Sequence, residues 1–201
     1  MKIIDSYLTL EKSSSSEIKI TKSKFISHAF PVNSNSEIPD RIKEIKKKYF
    51  DAAHFPYAFR IGADKNNFRV SDDGEPSGSA GKPVLEAIDK YNLTNILIIV
   101  VRYFGGTKLG VGGLRRAFFE AADLCLSKAM IVEKLITEKI NLEFDYRFMN
   151  VMMNLIEAGD MKLTENNSDE KCKLTLEVRL SKITQLKKEL ISLTNGNIKI
   201  F

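Results

Sequence analysis

The sequence predicts two domains, an N-terminal α/β domain over residues 1–132 and a C-terminal domain over residues 135–201 with the ferredoxin-like order β-α-β-β-α-β. Three observations carry this. Eight of the 11 glycines crowd between Gly74 and Gly113. From residue 1 to 132 there are 20 Lys/Arg against 15 Asp/Glu, and from 133 onward 11 against 11, so the whole net charge of +5 lies in the first part. Both shifts place the junction near Ile131–Leu135. From Ile136 onward, apolar residues recur alternately at strand spacing and at helix spacing.

The N-terminal elements follow in order. Ser13–Ser16 reads as a short polar turn, and strands run across Ile18–Pro31. A helix begins at about Ser36, with Ile38, Ile42, Ile45 and Tyr49 on one face and Lys43, Lys46, Lys47 and Lys48 mostly on the others. Tyr57–Ile61 and Phe68–Val70 read as strands. A helix starts at Pro83, where proline suits the first turn, and buries Leu85, Ile88 and Tyr91. The six-residue apolar run Ile96–Val101 fits a strand covered on both faces. The last helix runs from about Gly113 to Ala129 and buries Leu114, Phe118, Ala121 and Leu124. Two glycine-rich loops each lead into a helix.

In the C-terminal domain, Ile136–Phe144 alternates as a half-buried strand does. Phe148, Met152, Leu155 and Ile156 mark a helix that stops at Gly159. Met161–Thr164 is a strand, Asn166–Glu170 a polar turn and Cys172–Leu180 a second alternating strand. Ile183, Leu186, Leu190 and Leu193 mark a helix ended by Asn195–Gly196, and Ile198–Phe201 closes the chain as a strand. Met149, Met152 and Met153 read as core filling.

Composition narrows the function classes. Hydrophobic residues at 43% and charged residues at 28% are ordinary for a soluble globular protein. Ile96–Val101, the longest apolar run, is far too short to span a bilayer, and Met1–Glu17 has no signal-peptide character, so the expectation is a cytoplasmic protein without a membrane partner. Cys125 and Cys172 stand far apart without CxxC spacing, so neither a disulfide framework nor a zinc site is indicated; both read as core. No metal and no cofactor is assigned.

Two segments can carry chemistry. The first, Ser71–Pro83, packs three carboxylates, hydroxyls, three glycines and Lys82 between a strand and a helix. The second, Val101–Leu114, is followed by Arg115–Arg116. Gly105-x-x-x-x-Gly110 has the phosphate-loop spacing, but Val111–Gly112 stand where Lys-Ser/Thr must be; Gly110-x-Gly112 begins a dinucleotide fingerprint, but Arg115 replaces its third glycine. Neither nucleotide motif is satisfied. What remains is an anion-receiving surface: phosphate contacts from Lys82, Lys108, Arg115 and Arg116, positioning by Arg102, and close backbone approach at Gly105, Gly106, Gly110, Gly112 and Gly113. An alternative polar cluster of His54, Asp72, Asp73 and Glu75 would suit a hydrolase or nucleotide-dependent enzyme, with His54 as base. Only two histidines exist, and Asp72–Asp73–Gly74 reads better as a turn, so no catalytic residue is assigned. Tyr103 and Phe104 can stack on bases but read as packing inward.

The stretches Asp72–Pro83 and Arg102–Leu114, with Lys22–Phe25 and Asn95–Val101, resemble the signature of the IMPACT/YigZ family over about Thr21–Ala129. This resemblance implies a first domain folded like domain IV of elongation factor G and a second like its domain V. It also implies work in translation or stress control, by contact with RNA, a ribosomal site or a protein partner docked on the glycine-rich loops. The family usually carries two adjacent histidines where this chain has His54–Phe55. The expectation is therefore a non-catalytic RNA- or ribosome-binding protein.

Overall fold

Ile96–Tyr103 (β6) takes the place its composition demands, at the centre of a five-stranded antiparallel sheet. The computed structural model describes residues 4–159 and 161–201. The chain divides into two units, Tyr7–Lys134 and Leu135–Phe201, the latter joined by residues 4–6.

In the first unit β1 spans Ser6–Leu10, β2 Ser14–Ile20, β3 Ser23–Pro31, α1 Ile38–Lys48, β4 Tyr57–Ile61, β5 Asn67–Ser71 and α2 Gly81–Lys90. After β6 come α3, Gly110–Ser127, and β7, Ile131–Leu135. The sheet order is β2-β3-β6-β4-β5. Period-two alternation sends successive residues of each strand to opposite faces. Phe25, Ala29, Ala58, Ile96, Ile98 and Val100 pack against the buried sides of α2 and α3. Ile26, Phe30, Phe59, Ile61, Leu97, Ile99 and Val101 pack on the other face with Ile38 and Ile45 of α1. The sheet thus lies between one helix and two, which is why β6 is apolar from Ile96 to Val101 although its neighbours are antiparallel.

Several expectations need correction. Ser14–Ser16 is not a turn but the start of β2, paired with Ala29, His28 and Ser27 of β3, and the Ser14 hydroxyl donates to the Cys125 carbonyl. Polar composition hid a strand whose outer face meets solvent. The helix expected at Pro83 begins at Gly81, and that expected at Gly113 begins at Gly110. Val84, Ala87 and Leu126 take the deepest positions, while Leu85, Tyr91 and Leu124 are only partly covered. The β1–β7 pair was not foreseen. Glu11 N–H donates to the Met130 carbonyl at 2.9 Å and Thr94 N–H to the Leu8 carbonyl at 3.0 Å, and Leu10 is fully buried.

The second unit runs β8 (Thr137–Phe144), α4 (Met149–Ala158), β9 (Met161–Asn166), β10 (Cys172–Arg179), α5 (Ile183–Leu193) and β11 (Ile198–Ile200). This is the order β-α-β-β-α-β, with strands arranged β11-β8-β10-β9. Cross-strand pairs Ile140↔Leu176, Leu142↔Leu174 and Phe144↔Cys172 form the apolar face, covered by Met152, Ile156, Ile183, Leu186 and Leu190. The opposite face is polar: Thr175 donates to Asn141, and Lys199 bridges to Glu143 at 3.0 Å. Arg179 grips Asp5 through two bonds of 2.6 and 3.1 Å, which hold that carboxyl below the usual carboxylate range.

Candidate functional site

The first glycine-rich loop is organised around its own carboxylates. Asp72 ends β5's run into the loop and accepts backbone N–H groups from Gly78 at 2.8 Å and from Ala80 and Gly81 at 2.9 Å. Those donors belong to the approach and first turn of α2, where N–H groups lack helical partners. Burial pushes the Asp72 carboxyl up, but the three N–H bonds outweigh it and leave its pKa lowered. Asp73 reaches the other way, accepting from Phe55 N–H at 2.8 Å and pairing with Lys46 at 3.3 Å. Its carbonyl lies 2.8 Å from His54 Nδ1. Gly74 then turns at φ +89°, and a Cβ there would stand 3.0 Å from the same His54 nitrogen, so the ring and the turn need glycine together.

Glu75 and Arg102 form the centre of the site. They are 8% and 7% exposed, and Arg102 Nη1 donates to both Glu75 oxygens at 2.7 and 2.9 Å. The Arg102 N–H also donates to the His54 carbonyl at 3.2 Å. A charged pair so far from water persists only when geometry and hydrogen bonds offset desolvation. Here it ties the first loop to the strand that delivers the second.

The second loop is fastened in the same way. Gly105 lies against the Lys22–Ser23 backbone, where an added Cβ would overlap the Lys22 carbonyl, and its N–H donates to Ser23 Oγ at 3.2 Å. At Gly113 an added Cβ would stand 3.1 Å from Leu109 Cβ, a tighter contact than side chains usually make. Arg115 donates to the Gly78 carbonyl at 2.7 Å and to Glu86 of α2 at 2.9 Å, so the start of α3 is held against the first loop. Gly106, Gly110 and Gly112 face open space. No side chain caps α3, and Gly110–Gly113 make its first turn. Lys82, Lys108 and Arg116 are exposed, and their side chains have no hydrogen-bond or ion-pair partner among the described residues.

The residues expected to receive an anion therefore divide. Arg102 is an internal staple rather than a surface contact, because it meets buried Glu75; Arg115 stays partly exposed, with its charge shared with Glu86 of α2. The close approach of Gly105 and Gly113 is to the protein itself. Lys82, Lys108, Arg116, Gly106, Gly110 and Gly112 remain accessible. Phe104, expected to pack inward, is 58% exposed, while the Tyr103 hydroxyl donates to Asp51 at 2.6 Å, which pushes its pKa up to about 12. The alternative cluster is not assembled as a site: the His54 ring meets only the Asp73 backbone carbonyl, the Asp73 carboxylate is taken by Phe55 N–H and Lys46, Glu75 by Arg102, and Asp72 by the N–H groups at the α2 start. Among the described residues no three or more His, Cys, Asp or Glu side chains are grouped to hold a metal ion. Cys125 is buried with its thiol pKa raised by burial, and Cys172 is buried in β10.

The signal for the Arg102–Glu75 staple was present but ambiguous. An arginine directly following six apolar residues, and a glutamate between Gly74 and Pro76, each read as loop residues until the fold brings them together.

Fold and site define a class: a sheet between helices, whose two glycine-rich loops are pinned by internal carboxylates and leave one uncapped helix start open, followed by a four-stranded unit with two helices. Residues 21–126 match the Impact N-terminal domain. Over 198 residues the chain is 33% identical to IMPACT family member YvyE of Bacillus subtilis (strain 168), covering 98% of this chain and 91% of that protein. It is 28% identical over 186 residues to IMPACT family member YigZ of Escherichia coli (strain K12), covering 90% of each. A crystal structure described as that of a hypothetical protein matches with a TM-score of 0.71 at 25% identity, over 99% of this chain and 98% of the other. The chain belongs to the IMPACT family. No helix among the described residues is long and apolar enough to cross a membrane.

Proposed function

We propose that this protein is a cytoplasmic, non-catalytic RNA- or ribosome-binding regulator of translation, contacting phosphate through the open start of α3. One observation carries the reading: among the described residues Lys108 and Arg116 at the α3 start, and Lys82 in the first turn of α2, are unpaired cations, and Gly106, Gly110 and Gly112 at the uncapped α3 start have free space. Backbone N–H groups at such a start attract anions, and the lysines and arginine add full charge. Exposed Phe104 offers a ring on which a base can stack. The family resemblance implies the translational role and the likeness of the two units to domains IV and V of elongation factor G, with a ferredoxin-like second unit. Phosphate contacts of this kind set affinity without reading sequence.

The test is RNA binding across a salt series. Replacing Lys82, Lys108 and Arg116 by Ala should flatten the dependence of log affinity on log salt by roughly one unit for each phosphate no longer neutralised, alike for unrelated sequences. Arg115→Ala should change the slope less, because its charge is already neutralised by Glu86. A stable triple variant that binds RNA and ribosomes as wild type does refutes this surface, and docking of a polypeptide on the glycine-rich loops replaces it.

A further inference from the structure

The two faces of the first unit's sheet are unequally covered. Five strands at about 4.8 Å spacing make a sheet roughly 19 Å wide, and a helix with its side chains is about 10 Å across. The face bearing α2 and α3 is therefore filled. The other face has α1 alone, and the space beside it differs on its two sides. Toward β2 it shows exposed Ser15, Glu17 and Lys19, directly opposite His28, Ile26 and Lys24 of β3. Toward β5 it forms a groove of ≈ 760 Å³ between α1 and the sheet edge.

That groove has an apolar floor and a cationic rim. Ile38 and Ile42 of α1 and Tyr57 and Phe59 of β4 line its base. Lys43 and Lys46 stand on one wall, and Arg69, opposite Phe59 in the β4–β5 register, stands on the other. Among the described residues no Asp or Glu lines it. Lys46 shares its charge with Asp73 at 3.3 Å, but the side chains of Lys43 and Arg69 have no ion-pair or hydrogen-bond partner among the described residues. Asn67 donates to Asn35 at 3.3 Å between the β5 wall and the approach to α1.

We infer that this groove docks an acidic amphipathic helix of a partner protein, lying beside α1 over β4 and β5. The apolar floor takes the i, i+3, i+4 anchors of such a helix, and carboxylates flanking those anchors meet Lys43, Lys46 and Arg69. A nucleic-acid backbone is the poorer match, since phosphates gain nothing from a floor of Ile38, Ile42 and Phe59. This surface is separate from the α3 start, so the two proposals stand or fall apart.

The probe is a short capped peptide with Leu at i, i+3, i+4 and i+7 and Glu at the flanking positions, with a scrambled peptide of equal composition and an oligouridine beside it. Binding to the full chain is followed by fluorescence anisotropy and by amide shifts in the 15N spectrum. The expected result is saturable binding with shifts gathered at residues 38–46, 57–59 and 67–69, and weaker binding of the scrambled peptide. Lys43→Glu with Arg69→Glu should weaken it about tenfold or more, equivalent to ~1.4 kcal/mol, with an unchanged melting temperature because both side chains are exposed. Ile42→Asp should weaken it through the floor instead. Shifts elsewhere, equal affinity for the scrambled peptide, indifference to the charge reversal, or oligouridine displacing the peptide from the same residues would each overturn the inference.

Discussion

Replacing Arg102 by Met strands Glu75 as an unpaired carboxylate in a site where it is 8% exposed and receives two hydrogen bonds from that guanidinium. Removing one partner of a buried pair costs about 3–5 kcal/mol, because the remaining charge has neither water nor counter-ion. A kilocalorie displaces the melting temperature of a domain of this size by roughly 3–5 °C, so the variant should melt about 10–20 °C lower. Removing both charges, as Arg102→Met with Glu75→Leu, should recover most of that loss, since the desolvation burden disappears with the pair. Arg115→Ala provides the contrast: its bridge to Glu86 is solvent-exposed, and its loss should cost less than about 1 kcal/mol. Calorimetry and urea titration of the full chain read all four proteins. An Arg102→Met variant within about 1 kcal/mol of wild type, or a double variant no better than the single, would refute the staple as the element joining the two loops.

Asp72→Ala deprives three N–H groups of their acceptor and should cost about 1–3 kcal/mol near neutral pH. The Asp72 pKa is lowered in the fold, so its contribution is present above the ordinary carboxylate range and lost as pH falls through the folded value; acid titration should show variant and wild type converging there. Gly105→Ala forces a Cβ into the Lys22 carbonyl and should destabilise by about 3 kcal/mol or more, whereas Gly112→Ala, with open space in a helix, should stabilise by about 0.5–1 kcal/mol; equilibrium unfolding distinguishes them. His28 is held neutral, its pKa lowered to about 4 by burial and then by Lys48. The unfolded chain therefore binds the proton first, and stability should fall as pH drops from about 6.5 toward 4, a limb that His28→Gln flattens.

Much of the architecture was legible because burial imposes strict periods. Ile96–Val101 read as a strand covered on both faces, and the alternations read over Ile136–Phe144 and Cys172–Leu180 named most of the residues that face the second core. Element starts were less legible. The α2 start depends on Asp72 accepting from Gly81, a bond across nine residues that no local pattern reveals. In the site, the two glycine-rich segments were recognisable as the chemically dense regions, but not the direction in which each charge points. Lys82, Lys108 and Arg116 turn outward unpaired, Arg102 turns inward to a partner 27 residues away, and Arg115 pairs at the surface with a partner 29 residues away. Sequence shows that a positive charge is present; only the fold shows whether a carboxylate has already met it.

The pairing of β1 with β7 imposes an order of events during synthesis. Tyr7, Leu8 and Leu10 are made more than a hundred residues before the strand they pair with. Asp5 waits longer still, since Arg179 follows it by 174 positions. The span 21–126 that matches the family domain omits both strands. They therefore act as a clasp whose halves must be kept or discarded together: a fragment retaining β1 but stopping before Ile131 carries an apolar strand with an unpaired edge, the feature that invites aggregation.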